Sequence, residues 1–170
     1  HEVSCSSVLN VVSGFDEDKY ELTLIGITKE GKWLVTDSAA SIEDGTWKNS
    51  TQTAILSPDR GRPGVLVLGE DTYTYKKIDV IFPVLHGRFG EDGTIQGLFE
   101  MSGIPYVGCG VLSSAVSMDK ISTKIFVDRL GIRQAGYVID IAKDLSEMEY
   151  TVEQVEEKLG YPVFVKPSNA

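Results

Sequence analysis

The sequence has little cysteine, no long apolar run and no excess of basic charge, and each absence excludes a class of protein. Only Cys5 and Cys109 occur in 170 residues, which excludes a disulfide scaffold, and they lack metal-ligand spacing. No stretch approaches the roughly 18 apolar residues of a membrane helix; the longest, residues 78–85, contains Asp79 and Pro83. The formal net charge of −9 argues against a nucleic-acid-binding surface. We therefore expect a cytoplasmic globular protein with neither nucleic acid nor membrane as a partner.

The two ends of the sequence suggest an internal part of a longer protein. The first residue is His1, with no initiator Met, no basic segment and no apolar leader after it. The last apolar segment, residues 161–166, lies four residues before the final Ala170. A chain that stops in the turn after such a segment is expected to continue.

Hydrophobic patterning predicts a mixed α/β chain. In the first part, an apolar stripe at helical spacing predicts a helix over residues 2–13, ended by Gly14. Alternating apolar residues predict two hairpins. Their strands cover residues 20–27 with 32–35, and residues 65–68 with 72–75.

The pattern then changes to strand, loop, helix and strand, which is typical of parallel sheets. Residues 78–85 form a nearly continuous apolar run and predict a strand buried on both faces of a parallel sheet. Helices are predicted for 94–101, 112 onward, 118–130 and 152–159, and strands for 105–107, 137–141 and 161–166. We place a domain boundary near residue 110, giving domains of residues 1–110 and 111–170.

The segment from His86 to Gly93 is the sharpest candidate for a functional site. It follows the predicted buried strand and precedes a predicted helix, the edge at which open α/β sheets bind ligands. Glycines at every third position allow close approach of the backbone. A tight turn with Asp92 as helix cap is the alternative, and it explains Glu91 through the helix dipole. That alternative leaves His86 and Arg88 unexplained.

Two lysines are candidates for binding an anion. Lys120 and Lys124 lie in the first turns of a predicted helix, where cations oppose the helix dipole unless an anion is bound. We interpret Lys124 as a solvated surface residue and favour phosphate binding for Lys120. Lys166 follows three apolar residues, so its buried stem needs a partner or a ligand, or its ammonium group reaches water. Both interpretations of Lys166 stay open.

Several segments together resemble the D-alanine–D-alanine ligase family in order and spacing. The resemblance covers the whole chain, and the loop-and-helix segment with its spaced Met-Asp-Lys is the most specific part. The matching segments are residues 1–4 (HEVS), 85–97 (LHGRFGEDGTIQG), 103–108 (GIPYVG), 113–115 (SSA), 118–120 (MDK) and 165–168 (VKPS).

The resemblance implies an ATP-grasp enzyme. Its fold would place an N-terminal parallel-sheet, Rossmann-like domain before the start of a central ATP-grasp domain. The implied reaction joins two D-alanines through an acyl phosphate, with ATP and Mg²⁺, for synthesis of peptidoglycan precursors in cell wall formation. The family also implies a homodimer formed through the N-terminal domain.

The resemblance also assigns roles to particular residues. Val3, His86 and Gly87 would bind the first D-alanine, with His86 and Glu91 as the catalytic residues and Glu91 bracing the loop by hydrogen bonding. Lys120 and Lys166 would contact the phosphates of ATP. The Mg²⁺-binding acids would follow residue 170, so no metal ligand is expected here and the 170 residues alone are expected to be inactive.

Two alternatives remain. A D-alanine–D-serine or D-alanine–D-lactate ligase of glycopeptide resistance would share these segments, because the residues that select the second substrate lie mostly beyond Ala170. A non-catalytic α/β domain that binds a small molecule is an alternative of another class. The reading frame downstream of Ala170 would distinguish it from a ligase.

Overall fold

The structure is a computed structural model that describes residues 1–141 and 145–169, with side chains described outside 145–150. It divides into two compact units, His1–Ser114 and Ala115–Ala170. The predicted domain boundary near residue 110 stays a prediction, and residues 142–144 and 170 of the second domain lie outside the described residues. The helices are α1 (Glu2–Ser13), α2 (Ala39–Glu43), α3 (Thr94–Ser102), α4 (Val111–Met118), α5 (Lys120–Arg129) and α6 (Leu145–Lys158), with a 3₁₀ helix at Thr46–Asn49. The strands are β1 (Leu24–Ile27), β2 (Trp33–Thr36), β3 (Thr53–Leu56), β4 (Gly64–Leu68) and β5 (Tyr73–Lys77).

Helix α1 forms where the apolar stripe predicts it. It ends at Gly14, whose backbone N–H donates to the carbonyl oxygens of Val11 and Val12. Its N-terminal turn carries Val3 and Ser4, and Ser7 follows one turn later on the same side. The helix therefore presents two hydroxyl groups and one apolar side chain together.

The sheet of the first unit has five strands in the order β1-β2-β3-β4-β5, and every pair is antiparallel. Both predicted hairpins are confirmed, with Leu24 opposite Thr36 in one and Leu68 opposite Tyr73 in the other. The short turns explain this topology, because a parallel pair needs a crossover of a dozen or more residues. Mixed α/β structure is thus confirmed.

The expectation of a parallel sheet in this unit is corrected by the structure. Residues 78–85 do not form a strand, and their one parallel pairing is the bridge between Ile81 and Tyr106. Ile81 N–H donates to the oxygen of Pro105, and Val107 N–H donates to the oxygen of Ile81, both at 2.9 Å. The apolar run reflects contact with the core, since Ile78, Ile81 and Leu85 pack against it.

Helix α3 covers one face of the sheet and fixes the base of the loop before it. Ile95 and Phe99 of α3 are buried, and Ile104 follows them into the same core. Burying a side chain such as Phe99 contributes about 1.5 to 3 kcal/mol. The helix ends at Gly103, which has a left-handed φ of 69°. The sheet residues in this core are Ala54, Leu56, Val65 and Val67.

The second unit contains helices at positions close to those predicted, but not the predicted strands. Residues 137–141 and 161–166 have no strand structure, and Phe164 and Val165 are 95% and 93% exposed. A strand requires a hydrogen-bonded neighbour, and no paired strand occurs among the described residues of this unit. Within residues 1–141 and 145–169, no helix is long and apolar enough to cross a membrane.

Candidate functional site

The loop from His86 to Gly93 contains backbone dihedral angles that residues with side chains rarely adopt. Gly87 and Gly93 have φ of 80° and 91°, and Phe89 has a left-handed φ of 67°. Such a φ is unusual for a residue with a side chain. At Gly90, an added Cβ would lie 2.7 Å from the Cβ of Leu85, so glycine is required for the close approach. Because this backbone conformation is unfavourable on its own, hydrogen bonds are needed to stabilise it.

Two carboxylates supply those hydrogen bonds. Oε2 of Glu91 accepts from the backbone N–H of Gly87 at 2.6 Å. Oδ2 of Asp92 accepts from the N–H of Phe89 at 2.8 Å, and its Oδ1 accepts from the N–H of Thr94 at 3.0 Å. The bracing hydrogen bond expected of Glu91 is present. Asp92 is not the helix cap, because Gly93 occupies that position, but Asp92 still bonds to the N–H of Thr94, the first residue of the helix. The catalytic role of Glu91 stays a prediction.

These hydrogen bonds lower the pKa of Asp92. Burial of its carboxyl raises the pKa, but hydrogen bonds from Phe89 and Thr94 outweigh burial and bring the pKa below its ordinary value. The ionised carboxylate is therefore the form that the folded loop binds. A further hydrogen bond joins the loop to helix α3: the buried Gln96 Nε2 donates to the oxygen of Gly90 at 2.8 Å.

His86 is held between helix α1 and this loop. Its backbone N–H donates to Ser4 Oγ at 3.2 Å, and its Nε2 lies 3.2 Å from Ser7 Oγ. Its Nδ1 lies 3.8 Å from Glu91 Oε1. Val3 is 62% exposed and lies one helical turn before Ser7. The structure thus brings Val3, His86, Gly87 and Glu91 to one region of the first unit.

A second candidate region lies at the start of α5 in the second unit. Asp119 caps the helix by accepting from the N–H of Ser122 at 2.7 Å. Ser168 Oγ donates to Asp119 Oδ2 at 2.6 Å, and Lys120 N–H donates to the oxygen of Ser168 at 2.8 Å. The hydrogen bond from Ser168, followed by that from Ser122, lowers the pKa of Asp119. These bonds bring the segment of Lys166 beside the helix start.

Lys120 and Lys166, the two candidate phosphate-binding lysines, have different surroundings from Lys124. Lys120 is half-buried in the first turn of α5, and Lys166 is exposed two residues before Ser168, which bonds to that turn. Cations near a helix N-terminus suit an anionic ligand. The stem of Lys166 is not buried in a strand, because residues 161–166 form none. Lys124 lies at the surface, half-buried, but its ammonium group also contacts the protein. Its Nζ donates to the oxygen of Ala135 at 3.2 Å and lies 5.0 Å from the ring centroid of Tyr137.

No part of the described chain forms an evident metal centre. Within residues 1–141 and 145–169, there is no group of three or more His, Cys, Asp or Glu residues that could hold a metal ion.

Three serines of the site were given no role in the sequence analysis. Ser4 and Ser7 bond to His86 across 82 and 79 residues, and Ser168 bonds to Asp119 across 49 residues. No local pattern could reveal partners at such separations. The helical spacing of Ser4 and Ser7 shows that they share a face, but not what that face contacts.

The first unit is a mixed α/β domain whose glycine-rich loop is braced by two carboxylates, and comparisons with known proteins identify its family. Residues 1–109 match the family model described as "D-ala D-ala ligase N-terminus". The chain therefore belongs to the D-alanine–D-alanine ligase family. The family prediction is confirmed.

Relatives of known name resemble the whole chain. A D-alanine–D-alanine ligase of Acetivibrio thermocellus is 47% identical, and one of Caldicellulosiruptor bescii is 44% identical. Each alignment covers 100% of this chain, but only 49% and 47% of the relative. The chain thus spans about half the length of these relatives.

Solved structures resemble the fold. The VanG D-Ala:D-Ser ligase from Enterococcus faecalis is 36% identical, with a TM-score of 0.85 over 99% of this chain and 48% of its own. The D-alanine–D-alanine ligase from Coxiella burnetii is 29% identical, with a TM-score of 0.72 over 94% of this chain and 46% of its own.

The lowered pKa of Asp92 predicts a pH-dependent contribution to stability. With its folded-state pKa below the value of about 3.9 for an unfolded Asp, its contribution is present above that value and is lost as the pH falls through the folded-state pKa. Asp92→Asn should lower the free energy of unfolding by about 1 kcal/mol at neutral pH. The difference from wild type should shrink as the pH falls below about 4.

Urea unfolding at a series of pH values measures this difference. Asp71→Asn, an exposed carboxylate in the turn between β4 and β5, is the control and should change little. A difference for Asp92→Asn that is independent of pH, or one matched by the control, would contradict the assignment.

Proposed function

We propose that this chain supplies the first-substrate half of an ATP-dependent ligase that joins two D-alanines into D-alanyl-D-alanine for peptidoglycan precursors. The observation that carries the proposal is the position of His86. It heads a glycine-rich loop braced by Glu91 and is held against α1, inside the region that matches the family's N-terminal model. Each relative named above as a D-alanine–D-alanine ligase supports the same activity.

The first D-alanine would lie against Val3, His86 and Gly87. Val3 is exposed at the start of α1 and offers an apolar surface to a small side chain. His86 and Glu91 act at the polar end of the substrate: the imidazole orients the amino acid, and the Glu91 carboxylate holds the Gly87 N–H so that the loop keeps its shape. Positioning of this kind lowers a barrier by fixing the reacting geometry in advance.

Lys120 and Lys166 would hold the phosphates of ATP. Lys120 begins α5, and the hydrogen bond from its N–H to Ser168 brings the segment of Lys166 towards the positive end of the helix dipole. In the proposed reaction, the carboxylate of the first D-alanine takes the γ-phosphoryl group, and the amine of the second D-alanine displaces phosphate from the acyl phosphate. The lysines would neutralise charge on the phosphoryl oxygens. The ligands of the required Mg²⁺ are proposed to follow residue 170.

Location and assembly belong to the same proposal. An enzyme that uses ATP to make peptidoglycan precursors would act in the cytoplasm, and we propose a homodimer formed through the N-terminal domain. Because the chain spans about half the length of the ligases it matches, residues 1–170 alone are proposed to be inactive.

A second activity is favoured by one comparison. The VanG ligase, named for D-Ala:D-Ser, has the TM-score of 0.85 with this chain, so a D-alanine–D-serine ligase is the alternative product. A D-lactate product follows the same logic of a changed second substrate. Product analysis with D-alanine plus each competitor distinguishes these activities. A non-catalytic binding domain would form none of the products.

His86→Gln tests the role of His86 in the protein expressed from its complete reading frame. Glutamine can replace one hydrogen bond, but it does not reproduce the shape of the imidazole ring. We expect kcat/KM for D-alanine to fall at least about tenfold, which is about 1.4 kcal/mol of transition-state stabilisation. The melting temperature should change little.

The other histidine provides the control, since His1→Gln makes the same chemical change elsewhere and should leave kcat/KM within a factor of about two. Near-wild-type kinetics in His86→Gln would return His86 to a structural role. No D-alanine-dependent ATP hydrolysis by the wild-type protein would refute the proposed activity itself.

Lys166→Ala tests the phosphate site. Because Lys166 is exposed, its removal should leave stability unchanged, whereas loss of a charge-assisted hydrogen bond should weaken ATP binding by about 1.5 to 3 kcal/mol. Calorimetric titration with ATP measures the change, and Lys120→Ala should show a smaller one. Lys158→Ala, an exposed lysine of α6, removes the same charge and should not affect the affinity. Equal affinities for wild type and Lys166→Ala would refute the site.

A further inference from the structure

Helix α1 holds His86 through two serines that lie one turn apart. Ser4 Oγ accepts the backbone N–H of His86, and Ser7 Oγ lies 3.2 Å from Nε2 of the ring. One bond fixes the main chain at the loop's first residue, and the other fixes the direction of the imidazole. Both come from a single rigid helix, so the ring cannot turn without losing a contact to it.

The two ring nitrogens face groups of different chemistry. Nδ1 lies 3.8 Å from Oε1 of Glu91, a carboxylate oxygen that attracts a proton on the facing nitrogen. A neutral imidazole carries one proton, and this carboxylate favours placing it on Nδ1. Nε2 is then an acceptor, and the Ser7 hydroxyl donates to it. The nearby guanidinium group of Arg88 lies 4.7 Å from the ring centroid of Phe89, where it stacks on that side chain.

A hydroxyl group can bond to Nε2 whether or not that nitrogen carries a proton. It donates to a bare Nε2 and accepts from Nε2–H. The contact therefore fixes the direction of the ring without itself selecting a tautomer, and the selection comes from the Glu91 carboxylate that faces Nδ1. Alanine would remove the contact in both states, and threonine would keep it.

We propose that Ser7 is a positioning residue that fixes the orientation of the His86 ring and thereby keeps Nδ1 facing the Glu91 carboxylate, which favours the Nδ1–H tautomer. Ser4 anchors the backbone beside it. The inference that this presents a defined ring edge to the first D-alanine rests on the proposed function. The tautomer itself does not, because it is a property of the protein without substrate.

The tautomer can be read directly by long-range ¹H–¹⁵N correlation spectra of the ¹⁵N-labelled protein. The protein expressed from its complete reading frame is compared with Ser7→Ala, Ser7→Thr and Ser6→Ala, the last being an exposed serine one position earlier on α1. In residues 1–170, only His1 and His86 give imidazole signals, and His86→Gln assigns them. Wild type, Ser7→Thr and Ser6→Ala should show mainly Nδ1–H for His86. Ser7→Ala should show a mixture of both tautomers.

Steady-state kinetics give the second readout. Ser7→Ala should raise KM for D-alanine at least about fivefold, and Ser7→Thr should restore it, with melting temperatures close to that of wild type. An unchanged His86 tautomer in Ser7→Ala, or an equal change in Ser6→Ala, overturns the inference. A changed tautomer with an unchanged KM overturns its link to substrate. Absence of ligase activity in the wild type refutes the proposed function, while the tautomer result still decides the role of Ser7.

Discussion

The site depends on the hydrogen bonds that Glu91 and Asp92 accept from backbone N–H groups of the loop. The loop from His86 to Gly93 has left-handed backbone at three positions and would be costly to order without compensation. Charge-assisted bonds from the N–H groups of Gly87 and Phe89 offset that cost. The same Glu91 side chain faces the His86 ring. The carboxylate that stabilises the loop therefore also lies beside the imidazole that we propose binds the substrate.

Local sequence patterns predicted the elements whose partners are close in the chain. The stripe over residues 2–13, both hairpins and the helix beginning at Thr94 are confirmed, because turn length and periodicity determine them locally. The predictions for residues 78–85, 137–141 and 161–166 were wrong. An apolar run indicates burial, but a strand also needs a neighbour, and for residues 78–85 the pairing is limited to the bridge of Ile81 with Tyr106.

In the candidate site too, features set by the local sequence could be predicted, whereas contacts between distant residues could not. His86 and Glu91 could be found from the loop's composition, and the family resemblance added Val3, Lys120 and Lys166. Their supports could not be found, since Ser7 is 79 residues from His86 and Ser168 is 49 residues from Asp119. The lysine pair illustrates the reason. Lys120 and Lys124 look equivalent on the helix, yet only the tertiary contacts of Lys124 with Ala135 and Tyr137 reveal its structural role.

Amide hydrogen exchange at Gly87 and Phe89 tests the central claim most directly, because those two N–H groups bond to the Glu91 and Asp92 carboxylates. The account predicts that both exchange at least about tenfold more slowly than the exposed residues 29–30 in the turn between β1 and β2. Glu91→Gln should accelerate exchange at Gly87 more than at Phe89. Exchange of both amides at the rate of an unstructured chain would contradict the account.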